Sequence, residues 1–121
     1  MTLNSRTLSL AYAQAAHSFC HISMLLYPTV VLALEKQFGM SYGDLLVLMT
    51  LGNVLFGVAA LPAGWLGDRW HTVGMMVIYF IGLGGALVFT GSMSSPAGLT
   101  LGLALVGLFA AIYHPVGMSW L

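Results

Sequence analysis

Six residues of this chain carry a formal charge, and their positions limit what it can fold into. They are Arg6, Glu35, Lys36, Asp44, Asp68 and Arg69. Between them lie uncharged stretches of 28 residues (7–34), 23 residues (45–67) and 52 residues (70–121). A hydrocarbon core about 30 Å thick takes about 20 apolar residues as helix, so the first two stretches each fit one crossing. The third is too long for a single crossing at about 1.5 Å per residue and must fold back. GSMSSPAG (91–98) is the stretch densest in turn-forming residues, and it lies near the middle of that run. The reading is an all-α, polytopic transmembrane bundle of four helices, near 8–34, 44–66, 73–91 and 97–121.

Composition agrees. The chain is 60% hydrophobic and 5% charged, with mean hydropathy +0.97, whereas a soluble domain carries about 25% charged residues. The partner this implies is the lipid bilayer. A net charge of zero gives no reason to expect nucleic acid or an anionic surface as partner. Cys20 is the single cysteine, which excludes an internal disulfide. Ala13-Gln14-Ala15 has the small-x-small form of a signal cleavage site. The apolar run before it is short and mixed, and hydrophobicity continues to Leu34, so the first helix reads as retained.

Four crossings put Arg6 and Arg69 on one side and Lys36, with Glu35 and Asp44, on the other. The basic bias favours a cytoplasmic N-terminus. The chain stops at Ser119-Trp120-Leu121, inside an apolar run with no basic anchor. We therefore expect a fragment whose partners include further C-terminal helices of the same polypeptide. Alone, these 121 residues are expected not to transport.

GWLGDRW (64–70) sets two of the six charges side by side, between the second and third expected helices. Gly64 and Gly67 allow close backbone approach and a sharp turn. Asp68 stands where it can cap the next helix, beside a topology signal from Arg69. The order Gly64, Leu66, Gly67, Asp68, Arg69 also resembles the loop signature G-x-L-[AG]-D-R-x-G-[RK]-[RK] of the major facilitator superfamily, at that family's place. His71 replaces the next glycine, and Thr72 and Val73 replace the usual basic residues. AIYHPVG (111–117), Leu26-Tyr27-Pro28 and Phe38-Gly39-x-Ser41-Tyr42 are similar to bacterial permeases of the fosmidomycin-resistance type. The resemblance implies alternating-access transport of a small solute, efflux with proton coupling included, in a bacterial inner membrane. It implies that Asp68 and Arg69 belong to a cytoplasmic latch between transporter halves. It covers the layout of all 121 residues but only the first four of the family's usual twelve helices.

Gln14, His17, Ser18 and His21 fall at helical spacing on one stripe of the first helix, and such a stripe avoids lipid. His114 lies in the fourth helix at a similar depth. In the resembled family those two helices line the substrate pathway, which makes Gln14, His17, His21 and His114 pathway candidates. Three readings of the histidines stay open. They are hydrogen-bonded packing residues, or cavity residues that contact solute or relay protons, since imidazole ordinarily titrates near pH 6.5. The third reading is metal or haem ligation. No further ligand is evident in sequence, so no metal or cofactor is expected. Asn53 reads first as interhelical glue and second as a pathway residue. Pro28, Pro62 and Pro115 are expected to break their helices. Gly98/Gly102, Gly82/Ala86 and Gly107/Ala111 are small-xxx-small pairs suited to close helix approach. The eight methionines read as adaptable packing.

No catalytic constellation appears, and no enzymatic activity is expected. The alternatives to a facilitator fragment are a complete four-helix small multidrug-type transporter, a haem-binding membrane protein using His17 or His21 with His114, and a structural membrane subunit. The multidrug type depends on a buried Glu in its first helix, whereas Glu35 stands at this helix's far end.

Overall fold

Asn4 opens the first helix: its side chain accepts the Arg6 N–H at 3.4 Å. The helix, α1 (Ser5–Phe38), runs 34 residues until Gly39 takes a left-handed φ of 63° and returns its N–H to Glu35 O at 2.9 Å. At about 51 Å, α1 is longer than the hydrocarbon core. It extends past the expected end at 34, through Glu35 and Lys36, because charge ends the lipid-compatible stretch while Gly39 ends the helix. The computed structural model describes residues 4–119. Trp120 and Leu121, the last two residues of the expected fourth helix, lie outside that range.

The second span begins with Ser41, which accepts the Asp44 N–H at 3.2 Å and donates to Asp44 Oδ2 at 2.7 Å. That reciprocal pairing starts α2 (Tyr42–Val47), which passes through a turn at 48–49 into α3 (Thr50–Arg69). At the turn, Leu48 and Met49 donate three residues back, to Leu45 O and Leu46 O, at 3.1 and 3.2 Å. Tyr27 of α1 donates to the same Leu45 carbonyl at 2.8 Å. A side chain that enters the backbone ladder is a standard cause of a kink, and no proline is needed.

His71 starts α4 (Thr72–Gly91) by accepting the Gly74 N–H on Nδ1 at 3.1 Å. Ser92–Ser95 form the expected reversal, and Ser95 then caps α5 (Pro96–Ala110), with Pro96 in its first turn. After a turn at 111–112 comes α6 (Tyr113–Ser119). The proline expectation is corrected in two places. Pro28 and Pro62 sit inside unbroken α1 and α3, their missing N–H groups accommodated without ending the helix. The fourth span does break, four residues before Pro115, where the Ala111 carbonyl loses its helical donor.

These elements make four helices long and apolar enough to cross a bilayer: Ser5–Phe38, Tyr42–Arg69, Thr72–Gly91 and Pro96–Ser119. Leu61 is 80% exposed and Val88 76%, with many large aliphatic neighbours alongside them. Outward faces of that kind suit lipid or further helices rather than water. The protein is an integral membrane protein, and its described residues form an all-α, four-span fold.

The fourth span is the most enclosed, because α5 packs on both α3 and α4. Absent side chains make that possible. A Cβ added at Gly107 would run into the Gly52 backbone, and one at Gly52 would meet the Leu103 carbonyl. A Cβ at Gly82 would strike the Phe109 ring, and one at Gly102 would strike Thr90. The first helix is held by polar pins instead. Tyr79 Oη donates to Ala16 O at 2.7 Å and Tyr113 Oη to Ala13 O at 2.9 Å, both buried. Replacing Tyr79 by Phe should lower stability by about 0.5–1.5 kcal/mol. Thermal unfolding of the purified protein reads this directly, and an unchanged midpoint would remove Tyr79 as a pin.

Candidate functional site

Tyr113 and His114 open α6 directly after the break in the fourth span, so the break sets where their rings point. The Tyr113 hydroxyl reaches Ala13 O, and its ring stacks on His17 with centroids 5.4 Å apart and planes 15° from parallel. His17 and His21 are one helical turn apart on α1, so their rings lie on one face. Their Nε2 atoms are 2.9 Å apart, which makes one a donor and the other an acceptor. His114 comes to both from α6, with ring centroids 5.7 Å from His17 and 5.7 Å from His21. Phe56 of α3 closes the far side edge-on to His114 at 5.6 Å.

One ring nitrogen from each of the three histidines falls within 4.8 Å of the other two. The sequence placed His17 and His21 together and His114 at their depth. His114 supplies a third ring nitrogen beside those of His17 and His21. His114 is half-buried, whereas His17 and His21 stay exposed on the outside of the four-span bundle.

The other candidates do not join this cluster. Gln14 and Ser18 continue the stripe and are exposed. Asn53 is exposed on α3, beside a small crevice bordered by Ser23, Met24 and Tyr27 of α1. A separate cleft of about 190 Å³ lies between α1 and the α4–α5 turn, lined mainly by apolar residues such as Leu26, Val30 and Leu103. It holds none of the histidines.

GWLGDR proves to be the last turns of α3 rather than a loop, and this corrects two expectations. Gly64 and Gly67 make no turn. They admit α6, since a Cβ on Gly64 would meet Pro115 at 3.0 Å and one on Gly67 would meet Val116 at 2.8 Å. The next helix is capped by His71 and not by Asp68, because α3 continues until Trp70 N–H bonds Leu66 O at 2.9 Å. Leu66 also borders an apolar groove with Met75 and Ile112. The Arg69 guanidinium lies 4.5 Å from the Trp65 ring centroid, one helical turn back. Asp68 and Arg69 are both exposed.

The sequence missed the tyrosines that assemble the site. A Tyr in the middle of an apolar helix needs a partner for its hydroxyl when buried, and that rule flags Tyr79 and Tyr113 from sequence alone. In comparisons with known proteins, no family model, curated protein or solved structure matches this chain.

Proposed function

We propose that the chain is part of a secondary transporter of the major facilitator type, moving a small solute across the membrane by alternating access. The observation that carries this reading is the exposed pair His17 and His21, facing His114 on a bundle whose outward faces elsewhere are mostly apolar. Imidazoles are costly against hydrocarbon, so this face borders a water-filled pathway and further helices of the same polypeptide. Gln14 and Ser18 extend the polar strip along α1. The small solute would contact this strip, and proton coupling would use the histidines.

A second observation supports the latch. A carboxylate in the last turn of a helix meets the negative end of its dipole, which costs about 0.3–1 kcal/mol. Asp68 therefore does not stabilise α3, and its exposed carboxylate is available to pair with a group outside these four spans. With Arg69 it would hold the transporter halves together on the cytoplasmic side, the N-terminus lying on that side too.

The test is reconstitution of the full encoded polypeptide in sealed vesicles, screened against a panel of small solutes. Saturable, protein-dependent flux of at least one solute is the expected result. No flux across a broad panel, from correctly inserted protein, would contradict the proposal.

A further inference from the structure

We propose that His17, His21 and His114 form a binding site for a divalent transition-metal cation of the Zn²⁺ class, with one coordination position left open. The inference rests on the histidine geometry and stands whether or not the chain transports a solute.

Zn²⁺ takes imidazole nitrogens at about 2.0–2.1 Å in tetrahedral sites, which sets neighbouring ligand atoms about 3.3 Å apart. The His17 and His21 nitrogens are 2.9 Å apart, and the whole three-nitrogen set lies within 4.8 Å. At its widest the set exceeds the metal spacing by about 1.5 Å, so binding requires the rings to turn inward. Two of the ligands come from consecutive turns of one helix, so α1 alone fixes their relative placement. The third is delivered by α6, whose position is set by the Tyr113–Ala13 hydrogen bond and by the close fit of Gly64 and Gly67 against Pro115 and Val116.

Ligand chemistry selects the ion. Three imidazoles and no carboxylate suit Zn²⁺, Co²⁺ or Ni²⁺ and disfavour Ca²⁺ and Mg²⁺, which take oxygen. Without a cation, the facing Nε2 atoms must share one proton. With a cation, both lone pairs turn onto the metal and that proton moves to Nδ1 or leaves. Three protein ligands make an open site in which a water, a hydroxide or an anionic group of a solute completes the shell. The exposure of His17 and His21 leaves room for it.

The experiment uses the full encoded polypeptide, purified in detergent without a polyhistidine tag and titrated with Co²⁺ and then Zn²⁺. The expected result is one Co²⁺ per chain with the intense visible bands of tetrahedral coordination, displaced by Zn²⁺. His17→Ala, His21→Ala and His114→Ala should each weaken binding at least ~100-fold. His71→Ala removes the fourth histidine of these 121 residues, which caps α4, and should leave binding intact. His114→Cys guards against a variant that merely misfolds: it should keep Co²⁺ and add the thiolate charge-transfer band that only a direct ligand produces. Absence of stoichiometric binding overturns the proposal. So does binding that survives the loss of His17 or His114, or His114→Cys protein that binds Co²⁺ without a sulfur band.

Discussion

Gly107→Val abolishes the packed form of the fourth span. Even a single added carbon at this position collides with the Gly52 backbone, and Gly52 has no side chain that could swing aside. Backbone meets backbone there, so α5 must move off α3, and every contact along that crossing loosens together. Overpacking ordinarily costs about 1–3 kcal/mol, and a crossing with no flexible partner belongs at or above the upper end. Gly52→Ala meets the Leu103 carbonyl from the other side and should behave alike. Gly85 is the control. It lies in α4 with nothing within 4 Å of an added Cβ, so Gly85→Ala should be neutral or stabilise by about 0.5–1 kcal/mol through helix propensity. The fraction of monodisperse protein and its unfolding midpoint in detergent separate these cases. A Gly107→Val protein that melts with the parent would disprove the close crossing.

If Asp68 belongs to the proposed latch, Asp68→Asn should give the opposite pattern, sound folding with lost transport. The substitution removes a negative charge from the C-terminal turn of α3, so stability should hold or rise by about 0.3–1 kcal/mol. On that proposal, transport by the full polypeptide should fall at least ~10-fold, because the amide cannot carry the charge the latch would need. A helix cap would behave the other way, losing stability and keeping rate. Unfolding midpoints and initial flux rates on the same preparations tell the two apart. A transport rate within twofold of the parent would leave Asp68 without the role assigned to it.

Much of the architecture was legible in the sequence because so few charges are present. The uncharged runs counted out the spans, and GSMSSPAG placed the reversal that the 52-residue run required. The ends of α1 were less legible, since Gly39 and Asn4 end it and not the charges. The kinks were legible only in the fourth span, which breaks ahead of Pro115. Two prolines are absorbed within α1 and α3, while the turn at 48–49 has neither Pro nor Gly and goes with a hydrogen bond from Tyr27 that only the tertiary structure supplies.

The histidine site was half legible. Helical spacing put His17 and His21 on one face, but pairing them with His114 required knowing that α6 restarts after the break at 111–112. GWLGDR illustrates the same limit. Its glycines read equally well as a turn or as a packing surface, and only the presence of Pro115 and Val116 against them decides for packing.

The measurement closest to the central claim is the water accessibility of the α1 strip. Cys20 is buried and is the single cysteine of these 121 residues, so Cys20→Ala, with any cysteine of the remaining polypeptide replaced as well, supplies a thiol-free background. Gln14→Cys and Ser18→Cys then report on the strip, and Leu61→Cys on a dry aliphatic face. The full polypeptide in sealed vesicles is treated with a membrane-impermeant maleimide, which reacts only where water reaches the thiol. A solute pathway predicts fast labelling at 14 and 18 and almost none at 61. Labelling at 14 and 18 no faster than at 61 would mean that the histidine face is dry, and the transporter reading would fall.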